Sequence, residues 1–227
     1  MASWMVHLRV ADRLLMTWDD LDETAFVMGN IAPDSGVPNE DWSCYHPPKA
    51  VSHFKTRPED ETFFDVEVFC RKYFNEDVIK DYSRKEYSFF LGYYVHLLTD
   101  IRWTKGIYTD LIKSHPKECA EDKKKLIWTA KADWYDLDFL YLEEHPEFRA
   151  FGIYENAVNY DNEFMDLFSI DAFENRRQYI CCFYRSGDHG DLHRQYRYLN
   201  KEQAEQFVLE TCEEILKTED KYYFRQA

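Results

Sequence analysis

Residues 87–103 read Tyr-Ser-Phe-Phe-Leu-Gly-Tyr-Tyr-Val-His-Leu-Leu-Thr-Asp-Ile-Arg-Trp, apolar on nearly every face of a helix yet carrying His96 and Asp100 in the interior. A helix that is apolar all round is buried, so the rest of the chain has to wrap around this segment. The two polar residues are four apart, and a helix sets such a pair on one face. An imidazole and a carboxylate therefore share a dry environment. A carboxylate buried without a partner is strongly destabilising, and Asp100 needs a cation or a set of donors. Two arrangements meet that need: a His–Asp hydrogen bond fixing one tautomer of a core histidine, or a divalent metal held by both side chains.

The surrounding pattern is helical. Gly and Pro, at seven each, leave little material for the tight turns of an all-β fold. Apolar residues at helical spacing predict helices near 6–18, 21–32, 60–74, 84–113, 119–143, 169–184 and 200–217, with Asn200 and Gln203 as an N-terminal cap arrangement for the last. The expectation is an all-α, single-domain helical bundle over residues 1–227, long enough for one well-filled core. Residues 33–58, rich in proline, read as an extended connection. Residues 144–168 read as a second irregular stretch that begins at the helix stop Glu143-Glu-His-Pro-Glu147 and is placed to border a pocket. The aromatic residues, 18% of the chain, are core material. A groove lined by Tyr179, Phe183, Tyr184, Tyr196 and Tyr198 is the alternative for those five.

Three more ligand-type residues stand at points where the local sequence is odd. His7 opens the amphipathic run Val-His-Leu-Arg-Val-Ala-Asp-Arg-Leu-Leu-Met. Asp34 follows Phe26-Val-Met-Gly-Asn-Ile-Ala-Pro33 in a Pro-Asp-Ser-Gly turn signal. His53 lies in the short apolar patch Val51-Ser-His-Phe54. Taken singly they read as an exposed helix-start histidine, an Asx turn and a histidine packed beside Phe54. Their order is more informative. His7, Gly29…Pro33-Asp34, His53-Phe54 and Gly92-Tyr-Tyr-Val-His96-Leu-Leu-Thr-Asp100 together resemble the zinc-dependent phospholipase C family, which is related to fungal single-strand-specific nucleases, over residues 5–105.

That resemblance implies an all-helical fold with a metal site between helices, and cleavage of phosphodiester or phosphomonoester bonds. It matches Asp34, His53, His96 and Asp100 to the ligands of one metal, and His7 and Asp100 to part of a second, with Asp100 as the bridge. It gives Asp34 the catalytic role of a ligand that also orients or deprotonates the attacking water. The chain departs from the family after Asp100, where Ile101-Arg102-Trp103-Thr104-Lys105 brings neither the further histidine nor the His-x-x-x-Glu pair that hold a third metal. Met1-Ala-Ser-Trp-Met-Val-His7 likewise stands where the secreted enzymes use a processed N-terminal amine. One or two zinc ions are thus implied. Asp133, Asp136 and Asp138 read as a solvated acidic helix face or as substitute ligands, and Arg102 as a structural arginine.

Histidine and carboxylate ligands suit zinc, and also manganese or iron, because no thiolate is required. Two metals sharing Asp100 can activate water and neutralise phosphate oxygens, which is the expectation of a zinc-dependent phosphoric ester hydrolase. The alternatives are a nuclease-like phosphodiesterase for short single strands, and a non-catalytic helical protein with a structural or ligand-binding metal. A net charge of −15 repels nucleic-acid backbones and anionic membranes, and the one strong basic run, Lys123–Lys125, reads as a solvated face. The expected substrate is a small-molecule phosphoester, with no long nucleic acid and no stable membrane association. Six cysteines without paired spacing read as reduced thiols. Arg9, Asp12 and Arg13 interrupt the first apolar stretch, and no run approaches the ~20 residues that span a bilayer, so a cytoplasmic location is expected. Asp188-His189 reverses the order of an HD phosphohydrolase pair, and neither a Gly-rich phosphate loop nor a Gly-x-Ser-x-Gly elbow occurs.

Overall fold

The segment bearing His96 and Asp100 is the axis of the fold. It forms α6, Arg84–Trp103, in a computed structural model that describes residues 1–218 except 42, 58 and 61. Ser83 starts the helix with a reciprocal cap: its hydroxyl accepts the Glu86 N–H, and the Glu86 carboxylate accepts the Ser83 N–H at 2.9 Å. Phe89, Tyr93, Val95, Leu97 and Trp103 are fully buried, so α6 is covered on all sides.

The covering elements are mostly helical, as the composition requires. They are α1, Trp4–Leu15; α2, Glu23–Ile31; α3, Lys49–Ser52; α4, Val66–Tyr73; α5, Glu76–Ile79; α7, Thr109–Ser114; α8, Pro116–Glu144; α9, Arg149–Asn156; α10, Ala172–Arg185; and α11, Lys201–Thr218. Ser3 and Asp22 cap α1 and α2 with side-chain oxygens. Asn200 and Gln203 cap α11 reciprocally, as their spacing predicts. Among the described residues the only strands are β1, Val37–Pro38, and β2, Tyr45–His46, an antiparallel pair in which Val37 faces His46. No helix of the described residues is long and apolar enough to cross a membrane.

Helix α2 lies against α6 with backbone touching backbone. A Cβ at Gly29 would fall 2.0 Å from the Phe89 carbonyl oxygen, and one at Gly92 would fall 2.1 Å from the Phe26 carbonyl oxygen and 2.8 Å from the Asn30 nitrogen. Only glycine permits that approach. It brings the end of α2, and the Asp34 turn after it, alongside the His96 face of α6.

The element boundaries differ from expectation in four places. Residues 33–58 are not merely extended: they hold a 3-10 turn, Ala32–Asp34, then the small β pair and α3. The helix expected from residue 60 begins at Val66, because the Asp65 side chain accepts the Val68 N–H and fixes the start. The helix expected to run to 113 passes through a π-helical turn, Thr104–Tyr108, before α7. Residues 144–168 contain α9, whose Phe151 and Tyr154 enter the core and whose Ala150 N–H donates to the Asp12 carboxylate at 3.0 Å.

Candidate metal centre

Four segments aim the candidate ligands at one point. His7 is one turn inside α1, Asp34 ends the 3-10 turn after α2, His53 terminates α3, and His96 and Asp100 share one face of α6. His7, His53, His96 and Asp100 are 0% exposed and Asp34 is 6% exposed. All five converge. The Nε2 atoms of His53 and His96 are 3.3 Å apart. Asp34 Oδ1 lies 3.6 Å from His53 Nε2, and Asp100 Oδ2 lies 3.6 Å from both His53 Nε2 and His96 Nε2. Asp100 Oδ1 turns the other way, 3.4 Å from His7 Nε2, and accepts the Ala2 N–H at 2.8 Å. The His7 and His96 rings stack at 3.8 Å and 2°.

The outer nitrogens decide the tautomers. His96 Nδ1 is 2.7 Å from the Asn30 carbonyl, and His53 Nδ1 is 3.0 Å from the Lys49 carbonyl and 3.0 Å from the Ser52 hydroxyl. A carbonyl only accepts, so each Nδ1 carries the proton and each Nε2 presents a lone pair inward. Tyr93 holds α3 to α6 by donating its hydroxyl to the Ser52 carbonyl at 2.5 Å. The interior is therefore lined with acceptors. Asp100 Oδ2 and both nitrogens of His7 have no hydrogen-bond partner. Two lone pairs and two carboxylates facing one another in a dry space fit a cation.

Protonation favours the same occupant. Burial lowers His53 to about 4 and holds His96 well below the ordinary imidazole range, so both are neutral at pH 7. Burial pushes the Asp34 carboxyl upward, but the Lys49 ammonium and then the histidines outweigh it and hold it well below the usual range. Asp100 is likewise depressed, burial being overcome by the Met1 ammonium and the neighbouring histidines. Neutral imidazoles and ionised carboxylates are the ligand forms of these side chains. They fall into two groups that can hold a metal ion, His7/His96/Asp100 and Asp34/His53/His96, each with ligand atoms within 4.8 Å of one another. Among the described residues no third group forms.

Access comes from one side. A cavity of about 120 Å³ is lined by Met1–Trp4, Asp34, Lys49, Lys131, Trp134 and Tyr135, and Asp34 is the one candidate ligand on its wall. The Lys49 Nζ is 3.3 Å from Asp34 Oδ1. Larger cavities lie elsewhere, and most of their cations hold helices together: Arg9 and Arg13 both bind Glu205, Lys201 binds Glu144, and Arg102 binds Glu214 and the Thr211 hydroxyl.

The acidic run on α8 follows neither expected course. Asp133 accepts the Arg197 and Tyr198 N–H groups at 2.9 and 2.6 Å, Asp136 pairs with Arg194 at 2.7 Å, and Asp138 accepts the Ser3 and Tyr184 hydroxyls at 2.8 and 2.7 Å. Asp133 and Asp138 are buried and none of the three reaches the metal groups. They tie α8 to residues 194–198, α1 and α10. Tyr179, Phe183 and Tyr184 pack edge-on around Trp4 rather than forming a groove of their own. Lys123–Lys125 is exposed, as read.

The sequence pattern did not single out Asn30, Lys49, Lys131 or Tyr93. For Asn30 a signal existed: an amide inside the apolar run Phe26–Ile31 needs a buried partner, and its side-chain N–H donates to the Gly92 carbonyl at 3.3 Å while the backbone carbonyl of Asn30 accepts from His96. Lys49 and Lys131 carry no periodic signal. Comparison with protein-family models, with curated proteins and with solved structures finds no match to this chain.

Proposed function

We propose that this protein is a metal-dependent hydrolase of small phosphoesters, with zinc held by the His7/His96/Asp100 and Asp34/His53/His96 groups. One observation carries the reading: the Nε2 lone pairs of His53 and His96 face each other at 3.3 Å beside Asp100 Oδ2, with the Nδ1–H of both rings already committed and no donor between them among the described residues. Bound zinc supplies Lewis acidity toward a phosphoryl oxygen and lowers the pKa of a coordinated water toward ~7.

The protein's own groups do the rest. Asp34, on the cavity wall, would orient the attacking water or take its proton. Asp100, with Oδ1 toward His7 and Oδ2 toward His53 and His96, would serve as a ligand on both sides of the centre. The carbonyls of Asn30 and Lys49 keep the imidazoles from turning. The order of these residues supports membership in the zinc-dependent phospholipase C family, with two ions rather than three. Six free cysteines and the −15 charge accord with a cytoplasmic enzyme for small soluble substrates.

The test joins elemental analysis of protein purified without added ions to a panel of p-nitrophenyl phosphate, bis(p-nitrophenyl) phosphate, a short single-stranded oligonucleotide and phosphatidylcholine vesicles. Zinc in the isolated protein and chelator-sensitive turnover of a small ester are expected. Turnover insensitive to chelator and to added metal would overturn the reading. The complete burial of His7, His53, His96 and Asp100 favours a second one, a non-catalytic protein with a structural metal. It predicts tightly held metal with no ester cleaved.

A further inference from the structure

We infer that the cavity beside Asp34 is an anion pocket in which Lys49 and Lys131 receive a terminal phosphate, so that phosphomonoesters are the substrate class of this site. The inference rests on the proposed hydrolase for turnover, but not for binding.

The two lysines come from different elements, α3 and α8, and reach the same cavity. Like charges brought together in this way repel. In a chain with 43 carboxylate side chains against 28 lysines and arginines, partners are plentiful, yet Lys131 makes no ion pair among the described residues and rests its ammonium 4.7 Å from the Trp128 ring centre. Lys49 is only partly engaged, with one ion pair to Asp34, its ammonium 5.4 Å from the Tyr45 ring centre and a side chain 40% exposed. Trp134 and Tyr135 line the cavity as well, the Trp134 indole N–H is buried without an acceptor among the described residues, and burial pushes the Tyr135 phenol up to about 12, which keeps its proton in place. Asp34, beside Lys49 at 3.3 Å, joins this wall to the candidate metal centre.

Size and charge then select the occupant. About 120 Å³ equals roughly four water volumes at ~30 Å³ each and is well under the ~300–1,000 Å³ of pockets that enclose drug-sized molecules. A compact tetrahedral anion suits it. A cationic headgroup would meet two ammonium groups. A phosphomonoester carries about −1.5 to −2 charge at pH 7 and three terminal oxygens, whereas esterifying a second oxygen leaves one charge and two terminal oxygens. Two ammonium groups therefore discriminate in favour of the monoester.

The experiment is a calorimetric titration of inorganic phosphate into the zinc-loaded full chain, wild type against Lys131→Met and Lys131→Arg. It is paired with kcat/KM for p-nitrophenyl phosphate and for bis(p-nitrophenyl) phosphate. Lys131→Met should weaken phosphate binding about tenfold or more, the effect of losing one charge-assisted hydrogen bond, with zinc content and thermal midpoint unchanged. The monoester-to-diester preference should fall with it, and Lys131→Arg should retain most of both. Equal phosphate affinity in wild type and Lys131→Met overturns the pocket, even if esters are hydrolysed. Phosphate binding that depends on Lys131 while neither ester is turned over upholds the pocket and removes the hydrolase instead. Lys131→Gln guards against a folding defect peculiar to the Met variant, and an affinity equal to wild type there overturns the pocket too.

Discussion

Replacing Asp100 with Asn distinguishes a metal centre from a plain buried His–Asp network, because the two make opposite demands on one carboxylate. Without metal, Asp100 Oδ2 faces the Nε2 lone pairs of His53 and His96 at 3.6 Å, acceptor against acceptor. An Asn amide can turn its NH₂ toward those nitrogens while its carbonyl keeps the Ala2 N–H held at 2.8 Å by Asp100 Oδ1. It also removes a desolvated charge. In chelator, Asp100→Asn should therefore be as stable as wild type or more so. With free zinc at a hundred times its Kd, wild type gains ~2.7 kcal/mol. For a chain of this size each kcal/mol moves the thermal midpoint by ~2–4 °C, a rise of roughly 5–11 °C. The Asn variant, lacking charge on both sides of the centre, should rise by less than about 2 °C, with His7→Ala in between because it trims one group. Scanning calorimetry of the three proteins in chelator and in zinc, with metal content measured alongside, reads this directly. An Asp100→Asn protein that is several degrees less stable than wild type in chelator, with zinc shifting neither, would mean a structural His–Asp network.

Three other perturbations probe separate links. Gly92→Ala places a Cβ 2.1 Å from the Phe26 carbonyl oxygen, where only a shift of α2 relieves the clash. It should cost about 1–3 kcal/mol by urea unfolding and weaken zinc about 10–100-fold as Asn30 leaves His96, and wild-type values for both would deny the close approach its role. Asp34→Asn, assayed at saturating zinc, should lower kcat by about 10²–10⁴ with KM little changed, and unaltered turnover would reduce Asp34 to a turn residue. Asp138 is raised by burial to about 7 from an unfolded value near 3.8, so the folded state binds the extra proton between those values and the contribution of this group falls as pH rises. The stability of wild type relative to Asp138→Asn should therefore drop by roughly 2 kcal/mol between pH 5 and 7, and a pH-independent difference in urea unfolding would show that Asp138 is ionised throughout.

The long helices were legible because burial of one face enforces a period of 3.6, and α6 was legible because burial of every face leaves an apolar block in which His96 and Asp100 stand out. The convergence of His7, Asp34 and His53 on that face came from their order along the chain, matched to a family. What escaped notice depends on pairs distant in sequence. Gly29 and Gly92 look like weak points in helices until each is seen against the carbonyl of the other helix. Asp133, Asp136 and Asp138 look solvated until residues 194–198 and Ser3 close over them. Helix α9 has only eight residues and leans on Asp12, so its own periodicity is too short to declare it. Lys131 was hidden because a cation on an acidic helix implies a surface pair, and the Lys49 side of the cavity comes from a segment 82 residues earlier.

The site lies where helix ends meet a helix middle, and this placement bears on what a metal there is for. The carbonyls at the end of α2 lack intrahelical partners, and the Asn30 carbonyl takes the His96 Nδ1–H instead. The Lys49 carbonyl receives both the backbone N–H of His53, at 2.9 Å, and its ring N–H. The imidazoles are thus oriented by hydrogen bonds that the helix ends need in any case, and α6 is held in place by an apolar core in which Leu8, Phe26, Tyr93 and Leu97 are fully buried. None of this requires a cation. Small metal-nucleated folds behave differently, because there the metal replaces a missing core and chelation unfolds the chain. Here the backbone and the core preset the ligand positions, and of the five candidate ligands the buried atoms left without a hydrogen-bond partner among the described residues are Asp100 Oδ2 and the two His7 nitrogens. A centre assembled before its ion arrives loses little reorganisation energy on binding, and it can release its ion without unfolding. Under the proposed hydrolase reading, ligands preset in this way, with Asp34 at the edge of the cavity, would suit a metal that takes part in catalysis.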